Sequence, residues 1–274
     1  GGKVELPADV SSQYISALLL LGPVLDQGLE LHLIGEITSI PYINMTLALL
    51  NSLGVVTSFE GQFIYVSPLK EPKRITQIVE SDWSSASYFF SIAALSEAAE
   101  IHLTSYRQES LQGDSVLKSI YKDLGVSSHF EGDTLVLKKE NKILPAGIQL
   151  DLSKAPDIAQ TIAVTCYGLG IGCDLIGLHT LKIKETDRLV ALKTEIEKFG
   201  TSVVITDDSL SLNNIQGLKN NIVVETYKDH RMAMAFAPLG LKTNLTINNA
   251  DVVSKSYPDF WKDMTQIGFT LKEN

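Results

Sequence analysis

The chain has 274 residues, of which 45% are hydrophobic and 20% charged, with a formal net charge of −9. That hydrophobic content excludes disorder, the length suffices for about two domains with real cores, and the acidic balance argues against general binding to nucleic acid or an anionic membrane. The longest apolar run, residues 17–25, is broken at Gly22-Pro23 and is too short to span a bilayer, while the two cysteines, Cys166 and Cys173, make neither a disulfide framework nor a zinc site and fit a reducing, cytoplasmic setting.

The chain opens Gly1-Gly2-Lys3-Val4, with neither an initiator Met nor a signal peptide, and is therefore expected to be a piece of a longer polypeptide. Ser11-Ser12-Gln13-Tyr14 begins a helix-length apolar run, followed by a strand at Leu29–Ile34, a second helix ending at Gly54 and a hairpin turning at Glu60-Gly61. The charged, Pro-containing stretch 70–74 marks a boundary, predicting domains of 1–73 and 74–274. The same order then recurs. Ser84-Ser85-Ala86-Ser87 opens a helix, Glu100–Thr104 is a strand, a helix ends at Gly125, and Glu131-Gly132-Asp133 turns a hairpin. Ala155-Pro156-Asp157-Ile158 opens the third block, with a strand at Cys173–Leu178, a helix ending at Gly200 and a turn at Asp207-Asp208-Ser209. In that helix Leu189, Leu192, Ile196 and Phe199 share one face, with Lys193, Glu195 and Glu197 off the stripe. Asp229-His230-Arg231-Met232 opens the fourth block, which has a strand at Asn244–Asn248, a helix ending at Gly268 and one further strand's worth of residues, Phe269–Lys272.

The block starts lie 72 to 74 residues apart, so the chain holds roughly 3.8 copies of one unit. Each unit reads strand–helix–strand–helix–strand–strand, an α/β arrangement whose single apolar sheet face must stack its helices against sister units.

Unusual polar residues gather at the helix starts, where unsatisfied N–H groups and the positive end of the helix dipole favour anions. Ser11 and Ser12 read equally as caps or as ligand contacts, and Gln13 adds a long amide. Ser84, Ser85 and Ser87 read as caps. Lys184 and Arg188 surround Thr186 and Asp187, either of which can cap the next helix, and Arg231 and Lys255 hold related positions. Cations at a helix N-terminus oppose the dipole, so their recurrence points to a bound anion. Asp157 suits a cap, and Glu185 among these cations suits proton transfer. The five histidines lack metal-ligand spacing, and neither a Walker loop nor a GxGxxG or GxSxG motif occurs.

At Lys184-Glu185-Thr186-Asp187-Arg188-Leu189 and Asp229-His230-Arg231-Met232-Ala233-Met234 the chain resembles the 5-enolpyruvylshikimate-3-phosphate synthase family. Val10-Ser11-Ser12-Gln13, Pro41-Tyr42-Ile43, Ser84-Ser85-Ala86-Ser87-Tyr88, Gln112-Gly113-Asp114 and Tyr257-Pro258-Asp259-Phe260 also match, in the family's order. The resemblance implies a two-lobed enolpyruvyltransferase fold of βαβαββ units, an inside-out α/β barrel. Residues 1–73 would be the last repeat of the N-terminal lobe and 74–274 a nearly complete C-terminal lobe. It implies transfer of the enolpyruvyl group of phosphoenolpyruvate to the 5-hydroxyl of shikimate 3-phosphate, with release of phosphate and with no metal or organic cofactor, by a cytoplasmic monomer.

Carried over by position, Ser11, Ser12, Gln13, Ser39, Tyr42, Asp157, Thr180 and Lys184 would contact shikimate 3-phosphate. Thr180 stands where some members carry asparagine. Gln13, Arg188, Arg231 and Lys255 would hold phosphoenolpyruvate, with Asp157 as base and Glu185 as acid. A lysine, a serine and two arginines that complete the family's site would precede Gly1, so the chain alone is expected to have little synthase activity. The alternatives are UDP-N-acetylglucosamine enolpyruvyltransferase, an RNA-phosphate cyclase built on similar repeats, and a non-catalytic anion-binding repeat module. The two long motifs disfavour the first, and the acidic charge disfavours the second.

Overall fold

A computed structural model describes residues 1–8, 10–35, 37, 40–72, 74–213 and 217–272. The chain divides into two compact units, Gly1–Glu80 with Glu109–Ser115, and Ser81–Gln108 with Val116–Asn274.

The first unit contains one copy of the repeat. In chain order its elements are β1 (Gly2–Pro7), α1 (Ser12–Leu21), β2 (Leu29–Ile34), α2 (Ile40–Ser52), β3 (Thr57–Glu60) and β4 (Phe63–Val66). The sheet order is β1-β2-β4-β3, with β1 parallel to β2 from Gly2↔Leu29 to Pro7↔Ile34 and the other pairs antiparallel. Alternation decides which face is buried: Leu29, Leu31 and Leu33 turn inward beneath Ile15 and Leu19 of α1 and Ile43, Leu47 and Leu50 of α2. Each such side chain contributes about 1.5–3 kcal/mol by leaving water.

The second unit holds the remaining copies. The first supplies α3 (Trp83–Leu95), β5 (Glu100–Leu103), α4 (Leu117–Asp123), β6 (Val126–Glu131) and β7 (Thr134–Lys139), its sheet ordered β5-β7-β6. The next supplies β8 (Gly147–Asp151), α5 (Ala159–Leu169), β9 (Gly172–Ile176), α6 (Arg188–Lys198), β10 (Ser202–Ile205) and β11 (Leu210–Asn213). Their order, β10-β11-β9-β8, repeats that of the first unit read from the other edge. The last supplies β12 (Ile222–Val224), α7 (His230–Phe236), β13 (Leu245–Ile247) and α8 (Phe260–Gln266), with β12 parallel to β13.

Two expected strands do not form. The described residues ahead of α3 join no ladder, and neither do Phe269–Lys272. The glycines expected to end helices do so: Gly54, Gly125, Gly200 and Gly268 have φ between 79° and 108°, the left-handed region that side chains resist.

α3, α5 and α7 are the equivalent first helices of their copies, and α5 packs against both of the others. α3 and α5 are buried almost all round, as core helices are. Equivalent residues meet across them. Ser87 Oγ lies 3.0 Å from Thr161 Oγ1 and Ser91 Oγ 2.7 Å from Thr165 Oγ1, both pairs 74 residues apart. The sequence repeat is thus a packing repeat that brings the helix starts to one end of the second unit.

Candidate active site

At that end Asp187 caps α6, accepting from the N–H groups of Leu189 and Val190 at 3.1 and 3.2 Å. Arg188, the first residue of the helix, is turned inward and is only 2% exposed. Its guanidinium is fully engaged by carboxylates. Nε donates to Asp229 Oδ2 at 2.7 Å, Nη1 to Asp157 Oδ1 at 2.9 Å and Nη2 to Glu185 Oε2 at 2.7 Å. Asp157 lies in the 3-10 turn Pro156–Ile158 that leads into α5, Glu185 lies just ahead of α6, and Asp229 caps α7 through the Arg231 N–H at 2.9 Å.

Arg231 forms a second cationic layer. Its Nη2 lies 3.3 Å from both Asp157 Oδ2 and Ser84 Oγ, and its Nη1 donates to the Asp157 carbonyl at 3.3 Å. Lys184 Nζ lies 3.5 Å from Asp157 Oδ1. The counter-anions anticipated for these cations are therefore, in the first instance, the protein's own carboxylates. Burial has made this arrangement obligatory, since a guanidinium out of water without partners would cost several kcal/mol (~3–5).

These charges tune the two candidate proton-transfer groups. Burial opposes ionisation of Asp157, but Arg231, Lys184 and Arg188 outweigh it and hold the carboxyl far below the usual range. Glu185 is also lowered: burial again opposes, while its own backbone N–H, Arg188, His230 and Arg231 prevail. His230 is pushed down, first by burial and then by Arg231, which favours its neutral form. The ligand atoms of Glu185, Asp229 and His230 lie within 4.8 Å of one another, a spacing that suits a cation. Arg188 already bonds both carboxylates, through Glu185 Oε2 and Asp229 Oδ2.

Other anticipated residues lie around or apart from this cluster. Lys255 Nζ donates to the Lys228 carbonyl at 2.8 Å. Thr180 lies in the 3-10 turn His179–Ile183, its hydroxyl buried without a hydrogen-bond partner among the described residues. Ser11, Ser12, Gln13 and Tyr42 belong to the first unit. Ser11 occupies the N-cap position of α1 without making a cap bond, its hydroxyl donating instead to Gln13 Oε1 at 2.6 Å. Tyr42 is half-buried on α2, and Ser39 is outside the described residues.

Three readings change. The cap of α3 is Asp82, which accepts from the N–H groups of Ser84 and Ser85, so Ser84 is free of that task and faces Arg231. Asp157 makes no cap bond and pairs with cations instead. Glu195, placed off the apolar stripe of α6, is fully buried. Asp229 was visible only as part of a helix start, and an Asp immediately ahead of the first helical residue was its one local signal, as it was for Asp82.

Residues 1–264 match the family model described as EPSP synthase (3-phosphoshikimate 1-carboxyvinyltransferase). A relative from Bacteroides fragilis, named 3-phosphoshikimate 1-carboxyvinyltransferase, is 44% identical over 277 residues, covering 99% of this chain and 67% of the relative. One of the same name from Shewanella baltica is 34% identical, covering 97% of this chain and 62% of the relative. The chain thus spans about two thirds of the length of the curated relatives it matches, or somewhat less. In fold it is similar to EPSP synthase from Acinetobacter baumannii, at a TM-score of 0.77 and 22% identity, covering 99% of this chain and 63% of that one. It is also similar to the enolpyruvyl transferase NikO from Streptomyces tendae, at a TM-score of 0.66 and 15% identity, covering 97% and 63%.

Proposed function

The chain belongs to the EPSP synthase family, and from that premise we propose that its protein transfers the enolpyruvyl group of phosphoenolpyruvate to the 5-hydroxyl of shikimate 3-phosphate, releasing phosphate on the way to aromatic amino acids. The observation that carries the reading is the Arg188 fork, which holds the candidate base Asp157 and the candidate acid Glu185 on its two terminal nitrogens.

In this reading Asp157 accepts the 5-hydroxyl proton as that oxygen bonds to C2 of phosphoenolpyruvate, and Glu185, ionised in the free protein and protonated once the ligand's negative charge has raised its pKa, gives the methylene carbon the proton that makes it a methyl group. The resulting tetrahedral ketal then loses phosphate, which takes the proton held by Asp157, while a methyl proton returns to Glu185 to restore the double bond. The steps form a C–O bond to the 5-hydroxyl oxygen and break the C–O bond to phosphate with no change of oxidation state, chemistry that positioned carboxylates and cations can promote. The depressed pKa of Asp157 makes it a weak base in the free protein. A phosphorylated ligand offsets the charges of Arg231, Lys184 and Arg188, raises that pKa and makes Asp157 a stronger base once substrate is present.

Arg188, Arg231, Lys255 and Gln13 are the proposed phosphoenolpyruvate contacts. On the first unit Ser11, Ser12, Gln13, Ser39 and Tyr42 are proposed for shikimate 3-phosphate, and on the second Asp157, Thr180 and Lys184. Residues 1–73 would be one repeat of one lobe and 74–274 most of the other. The protein would act as a monomer in the cytoplasm. No helix among the described residues is long and apolar enough to cross a membrane.

Calorimetric titration tests the reading. Saturable binding of phosphoenolpyruvate in the presence of shikimate 3-phosphate is expected, weakened about 30-fold by Arg231→Met, the ratio set by about 2 kcal/mol for a lost charge partner. Failure to bind either compound, or binding indifferent to Arg231, overturns it.

A further inference from the structure

The turn that enters α7 is strained. Tyr227 and Lys228 both hold left-handed backbone, with φ of 54° and 58°, a conformation that bulky side chains resist and that persists only where the surroundings enforce it. The enforcing contact comes from α6. The Tyr227 hydroxyl donates to Glu195 Oε1 at 2.6 Å. Glu195 is itself immobilised: it is 0% exposed, and its Oε2 accepts from the Glu225 N–H at 3.0 Å and from Lys198 Nζ at 2.6 Å. Beside it the buried Thr226 donates its hydroxyl to the Asn248 carbonyl at 3.0 Å, and its own carbonyl accepts from the Asp229 N–H at 2.8 Å.

The strained pair fixes two groups that the site uses. The Lys228 carbonyl, aimed by its left-handed φ, accepts from Lys255 Nζ at 2.8 Å. The next residue is Asp229, which caps α7 and bonds Arg188. We infer that Glu195 and Tyr227 form a clasp that holds the strained turn and thereby positions Lys255 and Asp229. Both members are positioning residues, since neither bonds to the Arg188 cluster directly. The inference rests on the proposed function only in giving Lys255 a ligand to hold.

Trace labelling of lysines with acetic anhydride, read by mass spectrometry on the whole chain, tests the clasp without any ligand. Tyr227→Phe keeps the ring, removes the hydroxyl and leaves Glu195 two partners, so the fold is expected to survive. Lys255 should then label about fivefold faster, the factor that one typical net hydrogen bond sets, while Lys262 on α8 keeps its rate. Adding Lys228→Gly, which adopts the left-handed turn without a clasp, should return Lys255 to the wild-type rate. Equal labelling of Lys255 in the wild type and Tyr227→Phe overturns the inference, as does fast labelling in the double variant. If the single variant does not fold, recovery of the fold by adding Lys228→Gly supports the clasp, and a double variant that also fails to fold overturns it. Failure of the wild type to bind phosphoenolpyruvate would sink the proposed function and leave the clasp standing.

Discussion

Arg188 Nε donates to Asp229 Oδ2 at 2.7 Å, and the two side chains are 2% and 0% exposed. The residues are 41 positions apart, so the bond joins the start of α6 to the cap of α7 inside the protein. A pair so placed is costly to break from one side, because the remaining charge is left out of water.

Asp229→Ala is therefore expected to lower stability by about 3–5 kcal/mol. Urea unfolding would measure it. The double variant Arg188→Met/Asp229→Leu should lose less than the two single changes together, since it leaves no orphaned charge at this contact. Additive losses would show that the two residues are not coupled.

Acid should weaken the fold through Asp157. Its folded pKa lies below the value of about 3.9 that an unfolded aspartate shows, so the unfolded chain takes up the proton first. The stabilisation is complete above that unfolded value and is lost as pH falls toward the folded one. Asp157→Asn should be less stable at neutral pH, with a flatter loss of stability between pH ~5 and ~2. Melting temperatures across that range test the sign, and a parallel curve for the variant would refute it.

A polar ladder also joins α3 and α5 midway along their length. Thr165 Oγ1 lies 2.7 Å from Ser91 Oγ and 2.8 Å from the Tyr121 hydroxyl, all buried. Thr165→Val keeps the shape but deprives both hydroxyls of a partner, and should cost about 1–3 kcal/mol in chemical denaturation. Thr165→Ser should recover most of it.

Gly28 tests the first unit separately. Its φ is +68°, and a Cβ there would lie 2.3 Å from the Val66 carbonyl oxygen, which belongs to β4 and cannot move without breaking the sheet. Gly28→Ala should destabilise that unit by about 1–3 kcal/mol. Hydrogen exchange should show faster opening of β2 and β4, with the amides of α5 unaffected.

Much of the architecture was legible because its signals are local. Polar starts, apolar runs and terminal glycines recur every 72 to 74 residues, and capping, helix periodicity and strand alternation depend on neighbours only a few positions away. The stripe Leu189, Leu192, Ile196 and Phe199 is buried for that reason, and Gly200 ends its helix for the same one. The concentration of charge at the helix starts was legible too, because cations there contradict the dipole.

The partners of those charges were decided in space. Asp157 and Asp229 lie 31 and 41 positions from Arg188, and their attraction to it depends on distances that exist only after α5, α6 and α7 have packed, whereas Glu185 is a local partner three residues away. Glu195 reads as a solvated position on an isolated helix, yet the segment entering α7 covers it and gives it two donors, the Glu225 N–H and the Tyr227 hydroxyl, beside Lys198 of its own helix. Sequence alone determined the repeat and the kind of residue at each helix start, since these follow from short-range sterics and hydrogen bonding. Only the tertiary structure decided which opposite charges meet, since Coulomb energy and desolvation follow separation and burial rather than position in the chain.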